Sequence, residues 1–145
     1  MRIDLTKLNI IFIILVPIVA NHYYGSIGVF PIDTFAFFDS SNLINKGFLP
    51  IRDYWTSNGF LIDRIQSIFF KIFGVNWQIY LLHSTIVNFL FTFFTYKFLT
   101  SEGLNHKYSL LYSLCAGILA YPSSGVPFPD HHSIIFSIIA IYFFV

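Results

Sequence analysis

The sequence predicts an all-α, multi-pass membrane helix bundle, with about four transmembrane helices plus one or two interfacial amphipathic helices in the first outer loop. Three observations predict it. Hydrophobic residues make up 56% of the chain and charged residues 10%, with a mean hydropathy of +0.70, against about 25% charged in a typical soluble domain. Phe 19 and Tyr 9 supply an aromatic load suited to a lipid-solvated protein with rings at its interfaces. The apolar runs recur at span length, separated by polar loops. A net charge of +1 and the lack of any Lys/Arg run exclude a nucleic-acid partner. The single Cys115 excludes a disulfide framework and a cysteine metal site, and reads as an inert packing residue.

Residues 8–25 are the first span. About 18 helical residues cover roughly 27 Å, close to the ~30 Å hydrocarbon thickness, and Pro17 predicts a kink. A charged start and an apolar core also fit a secretory signal. No small-x-small cleavage site follows, so the stretch reads as uncleaved.

Residues 30–76 are the outer loop. Phe30-Pro31-Ile32-Asp33-Thr34 reads as a turn, with Asp33 capping a short helix that runs to about Asn45. The segment 45–74 is the one substantial polar-bearing stretch. It comprises an arginine–aspartate turn from Leu49 to Trp55, a hinge at Asn58-Gly59, and a one-sided helix. That helix sets Leu61, Ile65, Ile68, Phe69, Ile72 and Phe73 on one side. Asp63, Arg64, Gln66, Ser67 and Lys71 fall on the other. Such a helix lies flat in the lipid–water interface, holding the turn where a lipid-linked substrate presents its headgroup. An ordinary loop joining two spans is the other reading.

Residues 77–99 are the second span, opened by Trp77 and Tyr80 and closed by Tyr96 and Lys97. Within it, His83 and Asn88 read as inter-helix hydrogen-bonding residues ahead of catalytic ones. Residues 108–121, the third span, are short, at roughly 21 Å. Either the helix begins in the preceding loop, or the next loop dips inward, which needs an enclosed or watery cavity. That loop ends in Asp130-His131-His132, with Asp130 as the N-cap of a helix starting at Ser133. Residues 133–145 are an incomplete fourth span. The chain stops inside this apolar run, which predicts that 1–145 is the single transmembrane domain of an N-terminal fragment or a truncated reading frame.

Lys and Arg in the short flanks set the orientation. Arg2 and Lys7 precede the first span, and Lys97 and Lys107 bracket the loop after the second, so both regions are assigned to the cytoplasm. The segment from Asp33 to Lys71 carries four basic and four acidic side chains and is then extracytoplasmic. By alternation Asp33, Arg52, Asp53, Asp130, His131 and His132 all face that compartment. An Asp there can act as general base toward an acceptor hydroxyl. Arg or His can neutralise a phosphate leaving group. Asp with adjacent His can also hold a divalent metal, although three residues in succession give no i, i+4 ligand pair.

The order of an apolar span, an early outer Asp, then G-x-x-P-x-R-D-x-W-x-x-x-G-x-L and an interfacial helix ending F-x-K-I-F-G resembles a known family. It looks like the N-terminal part of the C-type integral-membrane glycosyltransferases, which include protein mannosyltransferases and lipid A aminoarabinose transferases. The matching residues are Asp33, Gly47, Pro50, Arg52, Asp53, Trp55, Gly59, Leu61, Lys71, Phe73 and Gly74, with Pro129 to Ser133 similar to a bacterial stretch. Ile51 stands where many relatives carry Tyr, and Phe60 where they carry Pro.

The resemblance implies a cell (inner) membrane enzyme with a cytoplasmic N-terminus. It would move a sugar from a polyprenyl-phosphate donor to an acceptor glycan, lipid or protein on the outer side. Asp33 would be the catalytic carboxylate and Asp130 a second active-site acid, with Arg52, Asp53, His131 and His132 binding substrate. No cofactor is implied with certainty, and a divalent metal stays open. Two other classes fit the same residues: a non-catalytic scaffold or transport-associated subunit, and a channel or transporter subunit. The last normally places ionisable residues inside its spans, where this chain has only His83.

Overall fold

The computed structural model describes residues 5–27, 31–56, 60–120 and 125–144, and for residues 5–7 and 31–33 only the backbone. The expected Asn58-Gly59 hinge lies outside the described residues. The chain is all-α: α1 (Leu5–Ile27), α2 (Pro31–Asn45), α3 (Leu61–Phe73), α4 (Trp77–Ser101), α5 (His106–Leu119) and α6 (Pro129–Phe144). Among the described residues two helices, at Leu8–Ile27 and Trp77–Ser101, are long and apolar enough to cross a membrane.

Local chemistry sets the boundaries. Gly74 ends α3 at φ 91°, and its amide bonds Phe70 O, a conformation that glycine enters freely. Two residues later the Asn76 side chain accepts from Ile79 N at 3.0 Å and caps α4. Asn105 caps α5 in the same way, through Lys107 N at 2.9 Å. Pro129 opens α6 at the position where a missing N–H costs nothing.

Helices α1, α5 and α6 pack around α4, the first two antiparallel and the third parallel to it. Antiparallel α1 meets it through Asn9 Nδ2 to Tyr96 OH (3.3 Å) at one end and Trp77 Nε1 to Gly25 O (3.0 Å) at the other. α5 is also antiparallel, held by Asn88 Nδ2 to Gly117 O (2.8 Å) and Tyr96 OH with His106 Nδ1 (3.0 Å). α6 runs parallel to α4, with His132 beside His83 and the Tyr142 ring stacked on Phe98 at 4.4 Å. The end where α4 begins is taken below as the upper end. α2 and α3 pack there, around a core of Phe37, Phe70, Tyr80, Leu81 and Val126. Lower down, Val87 and Phe91 pack on Ile135 and Ile139.

Polar groups sit inside and apolar groups outside. Asn21, Ser84, Thr85, Asn88, Thr92 and Ser113 are buried, whereas Ile11, Phe12, Leu15 and Val19 of α1 are exposed. Helices in lipid gain nothing from burying Leu or Ile, so small and polar residues make their contacts. Cys115 is exposed on α5, a correction to its expected packing role, because the small residues of α5 take the inward face.

Two further features bear on the expectations. α5 starts at His106, inside the preceding polar loop, and beyond it Gly125, Val126 and Pro127 are buried. The Asn21 side chain donates to Gly125 O at 2.9 Å, Ser84 Oγ at 3.0 Å and Thr85 Oγ1 at 3.1 Å. Meanwhile α3 keeps its expected helical phase but faces the other way. Asp63, Gln66 and Ser67 are buried against α2 and α4, and Leu61, Ile68 and Ile72 are exposed. The reason is that α2 and His83 offer that polar arc neighbours inside the protein.

Candidate functional site

The upper end gathers the first turns of α2, α4 and α6. Tyr80 OH donates to Thr34 O at 3.0 Å, which ties the start of α2 to α4. Phe37, one turn along α2, meets the Phe128 ring edge-on at 5.7 Å, just before α6. The backbone of Asp33, next to Thr34, therefore lies on the same end of the bundle as Asp130. Neither is an N-cap. α2 begins at Pro31 and α6 at Pro129, so both acids fall within first helical turns, and the Asp130 carboxylate there meets the positive end of the α6 dipole. Asp130 is exposed, and its carbonyl accepts from Ser133 Oγ at 2.8 Å.

Arg52 and Asp53 form a self-contained turn. Asp53 N bonds Leu49 O, Ile51 N bonds Tyr54 O, and Ile51 takes φ 72°. The Asp53 carboxylate accepts from Arg52 Nε (2.8 Å), Arg52 Nη2 (2.7 Å) and Leu49 N (2.8 Å). Hydrogen bonds from Arg52, then from the Leu49 amide, hold the Asp53 carboxyl down at about 2. Asp53 is thus an orienting group and no proton acceptor near neutral pH. Arg52 keeps the far edge of its guanidinium outward, 67% exposed, where it can still meet a phosphate. The turn packs away from Asp130, with Tyr54 OH donating to Ser40 O (3.3 Å) midway along α2.

His131 and His132 point apart. His131 is half-buried, edge-on to Phe128 at 5.9 Å, and lines an apolar cavity of about 320 Å³ with Phe91, Ala116 and Ile135. His132 is 3% exposed and joins a buried chain of three side chains. Its Nδ1 lies 2.9 Å from Phe128 O, its Nε2 lies 3.2 Å from His83 Nε2, and His83 Nδ1 lies 3.0 Å from Gln66 Oε1. Phe69 stacks on the His83 ring at 5.2 Å.

Hydrogen-bond logic fixes the tautomers. Phe128 O only accepts, so His132 donates from Nδ1. A neutral His132 then accepts at Nε2, and His83 donates from Nε2. With His83 neutral, Gln66 must turn its amide nitrogen toward Nδ1. With Gln66 Oε1 facing it, His83 carries a second proton. The two arrangements differ by one proton and an amide flip.

Asp63 stands one turn before Gln66 on the same face and is fully buried. Desolvation pushes its carboxyl up to about 6, opposed by the hydrogen bond from Thr56 Oγ1 at 3.4 Å. Its Oδ1 has no partner among the described residues.

Asp63, Gln66 and the dyad role of His83 were missed from sequence. The first two look like a solvated face, and the signal that could have found them is their i, i+3 spacing opposite a histidine inside a span. Among the described residues no three His, Cys, Asp or Glu side chains gather to hold a metal. Comparison with family models, curated proteins and solved structures returned no match. The likeness to C-type glycosyltransferases rests on the sequence residues alone.

Proposed function

We propose that this chain carries the outer-face site of a multi-pass membrane glycosyltransferase that uses a polyprenyl-phosphate sugar as donor. The observation that carries the reading is the shared upper end of the bundle. There the α2 turn bearing Asp33 and the α6 turn bearing Asp130 are joined through Tyr80, Phe37 and Phe128. In this account all four helices α1, α4, α5 and α6 cross the bilayer, with the N-terminus cytoplasmic and the upper end outside. The membrane is the cell (inner) membrane.

The acceptor hydroxyl attacks the anomeric carbon of the donor, and its proton passes to Asp33 as general base. The bond from that carbon to the phosphate oxygen breaks, and polyprenyl phosphate leaves with the electron pair. The outward edge of Arg52 balances the phosphate charge. Asp130, exposed on the same end, orients acceptor or sugar hydroxyls. His132 acts from inside, holding the first turn of α6 against α4.

A second reading, a non-catalytic multi-pass protein, draws on the engagement of Arg52 by Asp53 and of both His132 nitrogens. A transfer assay with polyprenyl-phosphate sugars separates the two. Asp33→Asn is expected to lower transfer by about 10²–10⁴-fold with membrane insertion unchanged. Full transfer by that variant rejects Asp33 as the base, and absence of transfer by the wild type favours the second reading.

A further inference from the structure

The polar arc of α3 is split. Asp63, Gln66 and Ser67 turn into the protein, whereas Arg64 and Lys71 stay exposed. Seven residues apart, these two cations lie nearly in line along the helix, with Ile68 between them. With the end of α2 they line a cavity of about 460 Å³, walled also by Ile44, Asn45, Ser67 and Val75. Among the described residues no acidic one lines it. The ion pair found among the described residues is Arg52 with Asp53, and neither Arg64 nor Lys71 is in one. Next to the cations the exposed flank of α3 is apolar, with Leu61, Ile68 and Ile72. An apolar flank bordered by cations is the pattern of a helix seated at headgroup depth.

We infer that this cleft binds the phosphate headgroup of an anionic glycerophospholipid, held by Arg64 and Lys71. Its volume falls within the roughly 300–1,000 Å³ of small-ligand sites. Arg offers paired N–H groups and Lys a compact charge, both suited to phosphate.

The opposing contribution is the C-terminal ends of α2 and α3, each bringing about half a negative charge. The amides of Lys46, Gly47 and Phe48 occupy carbonyls at the end of α2, and Gly74 N occupies Phe70 O. Two full cations outweigh what remains. The cleft is separate from the glycosyl-transfer site, because Asn45 lies about 18 Å along α2 from Asp33, and the inference does not depend on that activity.

The test uses the full chain of 145 residues in micelles containing equal amounts of phosphatidylglycerol and phosphatidylcholine, with retained lipid read by native mass spectrometry. The wild type is expected to retain phosphatidylglycerol preferentially, with roughly a fivefold preference contributed by each cation. Arg64→Gln with Lys71→Gln removes that preference, and Arg64→Lys with Lys71→Arg keeps it. Lys97→Gln with Lys107→Gln matches the charge loss and also keeps it. Equal retention of both lipids by the wild type, or an unchanged preference in the double glutamine variant, overturns the inference. Displacement of the lipid by millimolar inorganic phosphate also overturns it, since the ligand would then be free phosphate.

Discussion

His83 and His132 face each other Nε2 to Nε2 at 3.2 Å, joining α4 to the same first turn of α6 that bears Asp130. Each ring has a second partner, Gln66 for His83 and Phe128 O for His132. The pair therefore couples the position of α3 to that of α6. It links α3 to the proposed site.

Breaking one member leaves buried polar atoms unpaired. His83→Leu is expected to lower stability by about 1–3 kcal/mol, measured by thermal unfolding in detergent. Because both rings share one hydrogen bond, the double change His83→Leu with His132→Leu falls short of the sum of the single effects by about 1 kcal/mol. Strict additivity would mean that the rings do not interact.

Gly125 packs closely against α1. It adopts φ +63°, and an added Cβ would meet the Asn21 carbonyl oxygen and the Gly25 backbone, with Gly25 N at 2.8 Å. Gly125→Ala combines left-handed strain with overpacking and is expected to cost at least about 2 kcal/mol. Gly103→Ala is the control, with φ +84° but nothing within 4 Å. It is expected to cost about 1 kcal/mol. Equal losses in unfolding experiments would show that the loop does not press on α1.

Much of this fold is legible in the sequence, and the failures have one physical origin. Helical periodicity grouped the residues of α3 correctly, yet it could not say which arc faces the protein. That depends on α2 and on His83, which are remote in the chain. Asn21 passed as part of a span's end, although it bonds α4 and the inward loop together. Asp33 and Asp130 read as N-caps from their neighbours alone, whereas Pro31 and Pro129 begin the two helices and set both acids inside first turns. His132 reads as a substrate-binding residue only through the family resemblance, and its burial against α4 depends on a contact remote in the chain.

Asp63 gives stability a pH dependence of definite sign. Its carboxyl is raised to about 6 in the folded protein from an ordinary value near 3.9. The folded state therefore holds the proton more tightly, and stability falls as pH rises from about 4 to about 6. Asp63→Asn removes this dependence and is expected to raise stability at pH 7 by up to about 3 kcal/mol. Unfolding midpoints of both proteins across that window check it. An unchanged slope in the variant would place the titrating group elsewhere.

The account rests most heavily on the first turns of α2 and α6 sharing the non-cytoplasmic face. Cys115 is the single native cysteine, so Cys115→Ala supplies a background for Asp33→Cys and Asp130→Cys one at a time. A membrane-impermeant maleimide added to intact cells should label both positions, with Lys107→Cys labelled only after the membrane is opened. Labelling of Asp33→Cys and Asp130→Cys from opposite sides of the membrane would contradict the shared site.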